Sequence, residues 1–224
     1  MISFFISYLL SNFRANLYKF VFLTRLMNEI IQFFSQTTFN WSIVESIAVF
    51  FSILYVILAA KENIWCWGAG AISVSLYIYI CFFAQLYPEV GLQVFYLLMA
   101  FYGYSHWQKK EHSLQISEWS ISKHLFILVI GAILTFLMGF YFATYTNAKM
   151  PIVDSFTTIF SIFATYLVAK KILGNWLYWI VIDAVSAYLY FSRDLHLTSL
   201  LFMTYTIIAI FGYFAWIKKM KIDA

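Results

Sequence analysis

Seven long apolar stretches divide the chain: Ser42–Ala60, Ile64–Ala84, Gly91–Trp107, Leu125–Tyr145, Ile152–Ala169, Trp176–Phe191 and Leu197–Ile217. At 1.5 Å per residue, helices of these lengths reach roughly 24–32 Å. That brackets a hydrocarbon core about 30 Å thick. Period-two alternation is absent, so the pattern predicts transmembrane helices and not a β-barrel. The connections are short and polar, such as LysGluAsn at 61–63 and SerArgAspLeuHis at 192–196. Residues 1–40 read differently, because Arg14, Lys19, Arg25 and Glu29 interrupt the apolar text. Here the pattern predicts an amphipathic segment lying at the membrane interface. A signal peptide is the weaker reading, since the start lacks a basic region and no A-x-A site follows.

The chain repeats itself. Gly103, Tyr104 and Trp107 match Gly212, Tyr213 and Trp216, each pair 109 positions apart, and a Lys pair follows both blocks. Upstream, LeuGlnValPheTyr (92–96) faces LeuPheMetThrTyr (201–205), and Asn63 and Trp67 are matched to Asn175 and Trp179. The expected fold is therefore an all-α membrane protein with seven transmembrane helices in a three-plus-one-plus-three order. The segments are an N-terminal amphipathic piece (1–40), a first three-helix repeat (41–110), a linker with helix four (111–151) and a second repeat with the C-terminus (152–224). Four crossings separate the repeat starts, so the two copies are parallel. Such repeats occur in transporters, with the substrate at the repeat interface.

Composition sharpens this picture. Hydrophobic residues make up 63% of the 224 and charged ones 11%. Soluble domains carry about 25% charged residues, so a soluble enzyme is excluded. Nine basic residues would lie on one side (Lys61, Lys109, Lys110, Lys123, Lys170, Lys171, Lys218, Lys219, Lys221) and five on the other. The lysine-rich side is expected to be cytoplasmic, with the C-terminus inside and the N-terminus outside. Cys66 and Cys81 show no metal or disulfide spacing, and no phosphate-binding Gly-Lys loop exists. No catalytic residue, metal or cofactor is expected, nor a nucleic-acid partner. The lipid bilayer and a small molecule are the expected partners, and a homo-oligomer is compatible with this reading.

Few polar groups lie inside the spans. Asp183 is near the middle of the sixth, where a carboxylate costs about 2.5–3.5 kcal/mol and is turned inward. Its alternative is a protonated acid bonded to a neighbouring backbone or hydroxyl. Trp176, Trp179, Asp183, Ala187 and Tyr190 share one helical face. Trp176, at the span's end, is also open to an interface-belt reading. Gln93, Tyr96, Ala100, Tyr104 and Trp107 form a second face, and Gln93 offers donors and an acceptor to hydroxyls or an amide. An interhelical bond is its alternative. Asn63 and Asn175, at helix starts, are either ligand contacts or N-caps. Trp107 and Trp216, next to lysine pairs, read as interface-belt residues. Gly68, Gly70, Gly103 and Gly212 are expected to let helices approach closely.

The blocks AsnIleTrpCysTrp (63–67), GlnLeuTyrProGluValGlyLeuGln (85–93), PheTyrGlyTyrSerHisTrp (101–107), AsnTrpLeuTyrTrpIleValIleAsp (175–183) and LeuTyrPheSerArgAspLeuHisLeuThrSerLeuLeuPhe (189–202) resemble the PnuC family of bacterial vitamin transporters. Gly68 stands where several members carry Pro, and Tyr104 where they carry Trp. The resemblance implies the SWEET-like three-plus-one-plus-three fold in the bacterial inner membrane. It also implies facilitated diffusion of nicotinamide riboside, an NAD precursor, trapped by cytoplasmic phosphorylation. The family's Trp-x-x-Trp maps onto Trp176 and Trp179, and its helix-three Gln onto Gln93. The substrate site is expected to comprise Asn63, Trp67, Gln93, Tyr96, Asn175, Trp176, Trp179, Asp183 and Tyr190. A related carrier of another vitamin, such as thiamine, is the runner-up, and a membrane-embedded enzyme or sensor is third.

Overall fold

The structure, a computed structural model, describes residues 24–25, 43–84, 86–108 and 115–223. Ser42–Ala224 forms one compact unit and Met1–Trp41 another. The amphipathic segment expected over 1–40 lies outside the described residues except for Thr24 and Arg25, as do Lys109 and Lys110.

Among the described residues of Ser42–Ala224 seven helices follow one another: α1 Ile43–Ala60, α2 Trp65–Phe83, α3 Tyr87–Trp107, α4 Ile121–Tyr145, α5 Pro151–Ala169, α6 Asn175–Phe191 and α7 His196–Asp223. Each apolar stretch has become one helix. Pro88 and Pro151 stand in the first turns of α3 and α5, where the missing N–H costs nothing. α1, α2, α4, α5 and α7 are long and apolar enough to cross a membrane. The other two, α3 and α6, are those that carry Gln93 and Asp183 inside the bundle.

Neighbour contacts close six helices into a ring in the order α1, α2, α3, α5, α6, α7 and back to α1. α4 lies outside the ring and packs mainly along α5, with His124 at its start also reaching Tyr178 of α6 at 3.2 Å. Its docking stripe is Gly131, Thr135 and Gly139, spaced by four. A Cβ on Gly131 would lie 2.6 Å from Phe160, and one on Gly139 2.5 Å from Ile152. Small residues at this spacing are the usual way helices close up inside a bilayer. The opposite face of α4, including Phe126, Phe136 and Phe140, is exposed.

The repeat seen in the sequence recurs bond by bond. α1 ends with Glu62 N–H to Ala59 O and Asn63 N–H to Leu58 O, while α5 ends with Lys171 N–H to Val168 O and Ile172 N–H to Leu167 O. Glu62 and Lys171 both take left-handed backbone, at φ 51° and 52°. This is the Schellman ending, in which a left-handed residue lets its own N–H and that of the next residue reach back to the last helical carbonyls. All these pairs are separated by 109. The matching of Asn63 with Asn175 and Trp67 with Trp179 is thereby corrected. Trp67 N–H bonds Ile64 O as Trp176 N–H bonds Leu173 O, so the true counterparts are Trp67 and Trp176. Chain alignment around AsnTrp had slipped by three residues because aromatic residues are dense on both sides.

The two sets of contacts are also reciprocal. Tyr96 of α3 donates to Ser161 of α5 at 2.6 Å, and Tyr205 of α7 hydrogen-bonds Ser52 of α1. Trp107 Nε1 donates to Ala169 O and Trp216 Nε1 to Ala59 O, both at 3.1 Å. Exchange in both directions is what an approximate two-fold relation requires. Trp107 and Trp216 are therefore not belt residues. Trp216 is 1% exposed, and both indoles tie one half to a helix end of the other.

The packed core sits at the lysine-bearing end of the ring. Trp67, Trp107, Trp216 and Trp176 form a chain of rings there, with centroids 5.4, 6.4 and 5.4 Å apart. Beneath it, Glu62 accepts from Lys171 at 3.2 Å and Lys219 at 2.8 Å, and the Lys171 ammonium lies 4.8 Å from the centre of a Trp107 ring. Here two glycines, Gly103 and Gly212, make room for rings. A Cβ on Gly103 would come within 2.3 Å of Trp67, and one on Gly212 within 2.8 Å of Trp176. Gly68 meets only Trp65 of its own helix, at 3.6 Å, so its expected role in helix approach is not seen.

Candidate substrate cavity

Inside the ring lies a cavity of about 740 Å³. Its floor includes Ala59, Trp67, Trp176 and Val168, next to the tryptophan chain. Its far end reaches Pro88, Glu89, Thr146, Ala148, Pro151 and Arg193. Those residues all belong to helix ends and connections opposite the lysine-rich end. The cavity is therefore blocked at one end by the aromatic core and approached from the other.

Each wall follows from helix periodicity. On α6, Trp176, Trp179, Asp183, Ser186 and Tyr190 line the space, at the three- and four-residue steps that keep one face inward. Ala187, expected on this face, instead turns toward a groove between α6 and α7. On α3, Gln93, Tyr96 and Ala100 line it, whereas Tyr104 and Trp107 lie below, in the core. Asp183 is 4% exposed, so its carboxylate has little access to water except through the cavity.

Seven of the nine residues expected at the site thus meet in one space: Trp67, Gln93, Tyr96, Trp176, Trp179, Asp183 and Tyr190. Asn63 and Asn175 do not line it. Asn63 is exposed, and its Oδ1 accepts the Trp65 N–H at 2.9 Å, which is the capping alternative. Asn175 is buried, with its Nδ2 donating to Ile172 O at 2.7 Å. Several lining groups were not anticipated: Ser52, Tyr55, Tyr77, Ser161 and Tyr205. Extending the 109-residue offset would have found Tyr205 from Tyr96, whereas Ser52 and Ser161 are a pair at that offset of which neither member stood out in the sequence.

The mouth is held by charge. Arg193 Nη2 lies 2.6 Å from Asp154 Oδ2, tying the α6–α7 connection to the start of α5. Nearby, Tyr190 stacks on Phe202, with centroids 5.2 Å apart and ring planes 6° apart. Among the lining residues the carboxylates are Glu89, Asp154 and Asp183, and the one guanidinium or ammonium is Arg193. No group of His, Cys, Asp and Glu among the described residues could hold a metal ion. A wall of aromatic faces, hydroxyls, one amide and one buried carboxylate can stack a flat ring, bond sugar or amide groups, and favour positive charge.

The sequence pattern of the nicotinamide mononucleotide transporter family matches residues 42–218. The chain belongs to this family. It is therefore a transporter and not an enzyme. The nicotinamide riboside transporter PnuC of Escherichia coli is 26% identical over 211 residues, covering 82% of this chain and 88% of its own. A riboflavin/roseoflavin transporter, RibM of Streptomyces davaonensis, is 20% identical, covering 77% and 83%. The crystal structure of the vitamin B3 transporter PnuC superimposes with a TM-score of 0.67 at 22% identity, covering 92% of this chain and 93% of that one. The match corroborates the fold.

Proposed function

We propose that this protein carries nicotinamide riboside across the bacterial inner membrane by facilitated diffusion. The observation that carries the reading is the single wall of α6, where Trp176, Trp179 and Asp183 face one cavity opposite Gln93 and Tyr96 of α3. The riboside presents a cationic pyridinium, an amide and a ribose. Aromatic faces attract such a ring by about 0.5–2 kcal/mol per contact. The Gln93 amide and the tyrosine hydroxyls suit the substrate's amide and ribose. The charge of the lining argues for the riboside over its phosphate ester. Three carboxylates face one Arg, and that Arg is already held by Asp154. Within the lining a phosphate dianion would find repulsion and no cation other than the paired Arg193.

The architecture that goes with this is three-plus-one-plus-three: α1–α3 and α5–α7 as parallel repeats, α4 as the connecting span, and the site between the halves. The reciprocal tyrosine–serine bonds, at an offset of 109 at both ends, and the two tryptophan bonds, whose donors are 109 apart and whose acceptors Ala59 and Ala169 are 110 apart, support it. The lysine-rich end faces the cytoplasm, so the state described opens outward and is shut on the cytoplasmic side. Phosphorylation in the cytoplasm traps the riboside, and no ion gradient is required. A second reading, a carrier of another vitamin with a flat ring, is favoured by the relative that transports riboflavin. Proteoliposomes containing only this protein decide. Labelled nicotinamide riboside should equilibrate without ATP or a proton gradient. Equilibration of riboflavin or thiamine, with none of the riboside, would overturn the proposal.

A further inference from the structure

The two-fold frame makes each lining position answerable to its partner 109 residues away, and the partners differ in chemistry. Trp179 corresponds to Gly70, Asp183 to Val74, and Phe202 to Gln93, and all six line the cavity. In the ring of helices, α2 touches α1 and α3, α6 touches α5 and α7, and α2 and α6 do not touch each other. They face one another across the cavity. One wall thus bears an indole and a carboxylate, while the wall across from it bears a glycine and a valine at the same heights.

We propose that Gly70 is a specificity-determining position, resting on the nicotinamide riboside reading above. By carrying no side chain where the other half carries Trp179, it leaves the space in which the substrate's flat ring lies against that indole. A second large side chain there would fill the half of the slot that the ring needs. The wall behind Gly70 is already taken. A Cβ built on it would lie 3.0 Å from the ring of Tyr55, which also lines the cavity, so added bulk either turns into the open space or drives the Tyr55 ring into it, and both narrow the slot. Gly70 therefore sets the width of the slot, and Trp179 supplies its adhesive face.

The test is a size series at Gly70 on the purified full-length protein, with nicotinamide riboside as ligand and calorimetry as readout. Gly68, two residues away on the same helix, is outside the cavity lining and meets only Trp65, so it is the control. Gly70→Leu should weaken binding by roughly tenfold or more, the scale at which one or more methylenes act in a fitted pocket. Gly70→Ala should weaken it less, and Gly68→Leu should leave it near the wild-type value. Melting temperatures report folding separately. Wild-type affinity in a folded Gly70→Leu variant, or equal losses at Gly68 and Gly70, would overturn the proposal. If Gly70→Leu fails to fold, Gly70→Ala decides, and unchanged affinity there overturns it. Absence of riboside binding by the wild-type protein would instead refute the substrate reading.

Discussion

Replacing glycine by alanine at three positions of α3 and α7 should give three different outcomes, each set by what fills the space above the glycine. In a helix interior alanine is favoured over glycine by about 1 kcal/mol. At Gly91 nothing lies within 4 Å of the new Cβ, so Gly91→Ala should be neutral or stabilising up to that limit. At Gly103 the Cβ would come within 2.3 Å of Trp67 Cζ2, with two more ring atoms at 2.4 and 2.5 Å. Ordinary carbon contacts are about 3.5–4.0 Å, so the overlap exceeds an ångström. The Trp67 ring cannot step aside. It is 2% exposed and is held by Trp107 at 5.4 Å and Tyr55 at 6.0 Å. Overpacking of this kind costs about 1–3 kcal/mol or more, so the net loss after the helix gain is about 2 kcal/mol. At Gly212 the nearest atoms of Trp176 would be at 2.8 Å, and the net loss should be nearer 1 kcal/mol. For a chain of this size, 1 kcal/mol moves a melting temperature by about 2–4 °C. Thermal melts in one detergent should therefore rank Gly91→Ala at or above wild type, then Gly212→Ala, then Gly103→Ala, some 4–8 °C below wild type. A Gly103→Ala variant melting as high as Gly91→Ala would refute the packing of Trp67 over Gly103, and with it the ring chain that closes the cavity.

Other outcomes follow from the same contacts. Trp179→Ala should weaken riboside binding by about 1–2 kcal/mol, roughly five- to thirtyfold, with Trp179→Phe recovering part of it; calorimetry showing unchanged affinity in a folded variant would reject the aromatic wall. Gln93→Ala should also weaken binding, by about 1–3 kcal/mol, if ligand groups are left unpaired, and the same titration checks it. Tyr96→Phe and Tyr205→Phe each remove one hydroxyl bond across the halves and should each lower stability by about 1 kcal/mol, read as equal falls in melting temperature; a marked inequality would mean that the two bonds are not equivalent. A reporter fused after Ala224 should be active on the cytoplasmic side, and activity confined to the periplasm would invert the proposed orientation.

The helices themselves were legible along the chain because hydropathy and length are local properties. A run of apolar residues near Asp183 or Gln93 declares a span whatever it packs against, and the glycine, tyrosine and tryptophan of 103–107 declare their copy at 212–216 without reference to space. The inward faces of α3 and α6 were legible for the same reason, since helical periodicity alone puts Gln93 with Tyr96 and Trp179 with Asp183. What Trp107 and Trp216 do was not. Beside lysine pairs they look like interface residues, and only the approach of α5 and α1 supplies the carbonyls of Ala169 and Ala59 that take their N–H groups. Asn63 and Trp67 illustrate the same limit. Their neighbours are aromatic at every candidate register, so similarity could not choose among registers, whereas the left-handed residues Glu62 and Lys171 mark the register without ambiguity. That Trp179 and Gly70 line one cavity was not legible either, because which distant helices come to enclose a common space is a property of how the chain closes and not of any segment within it.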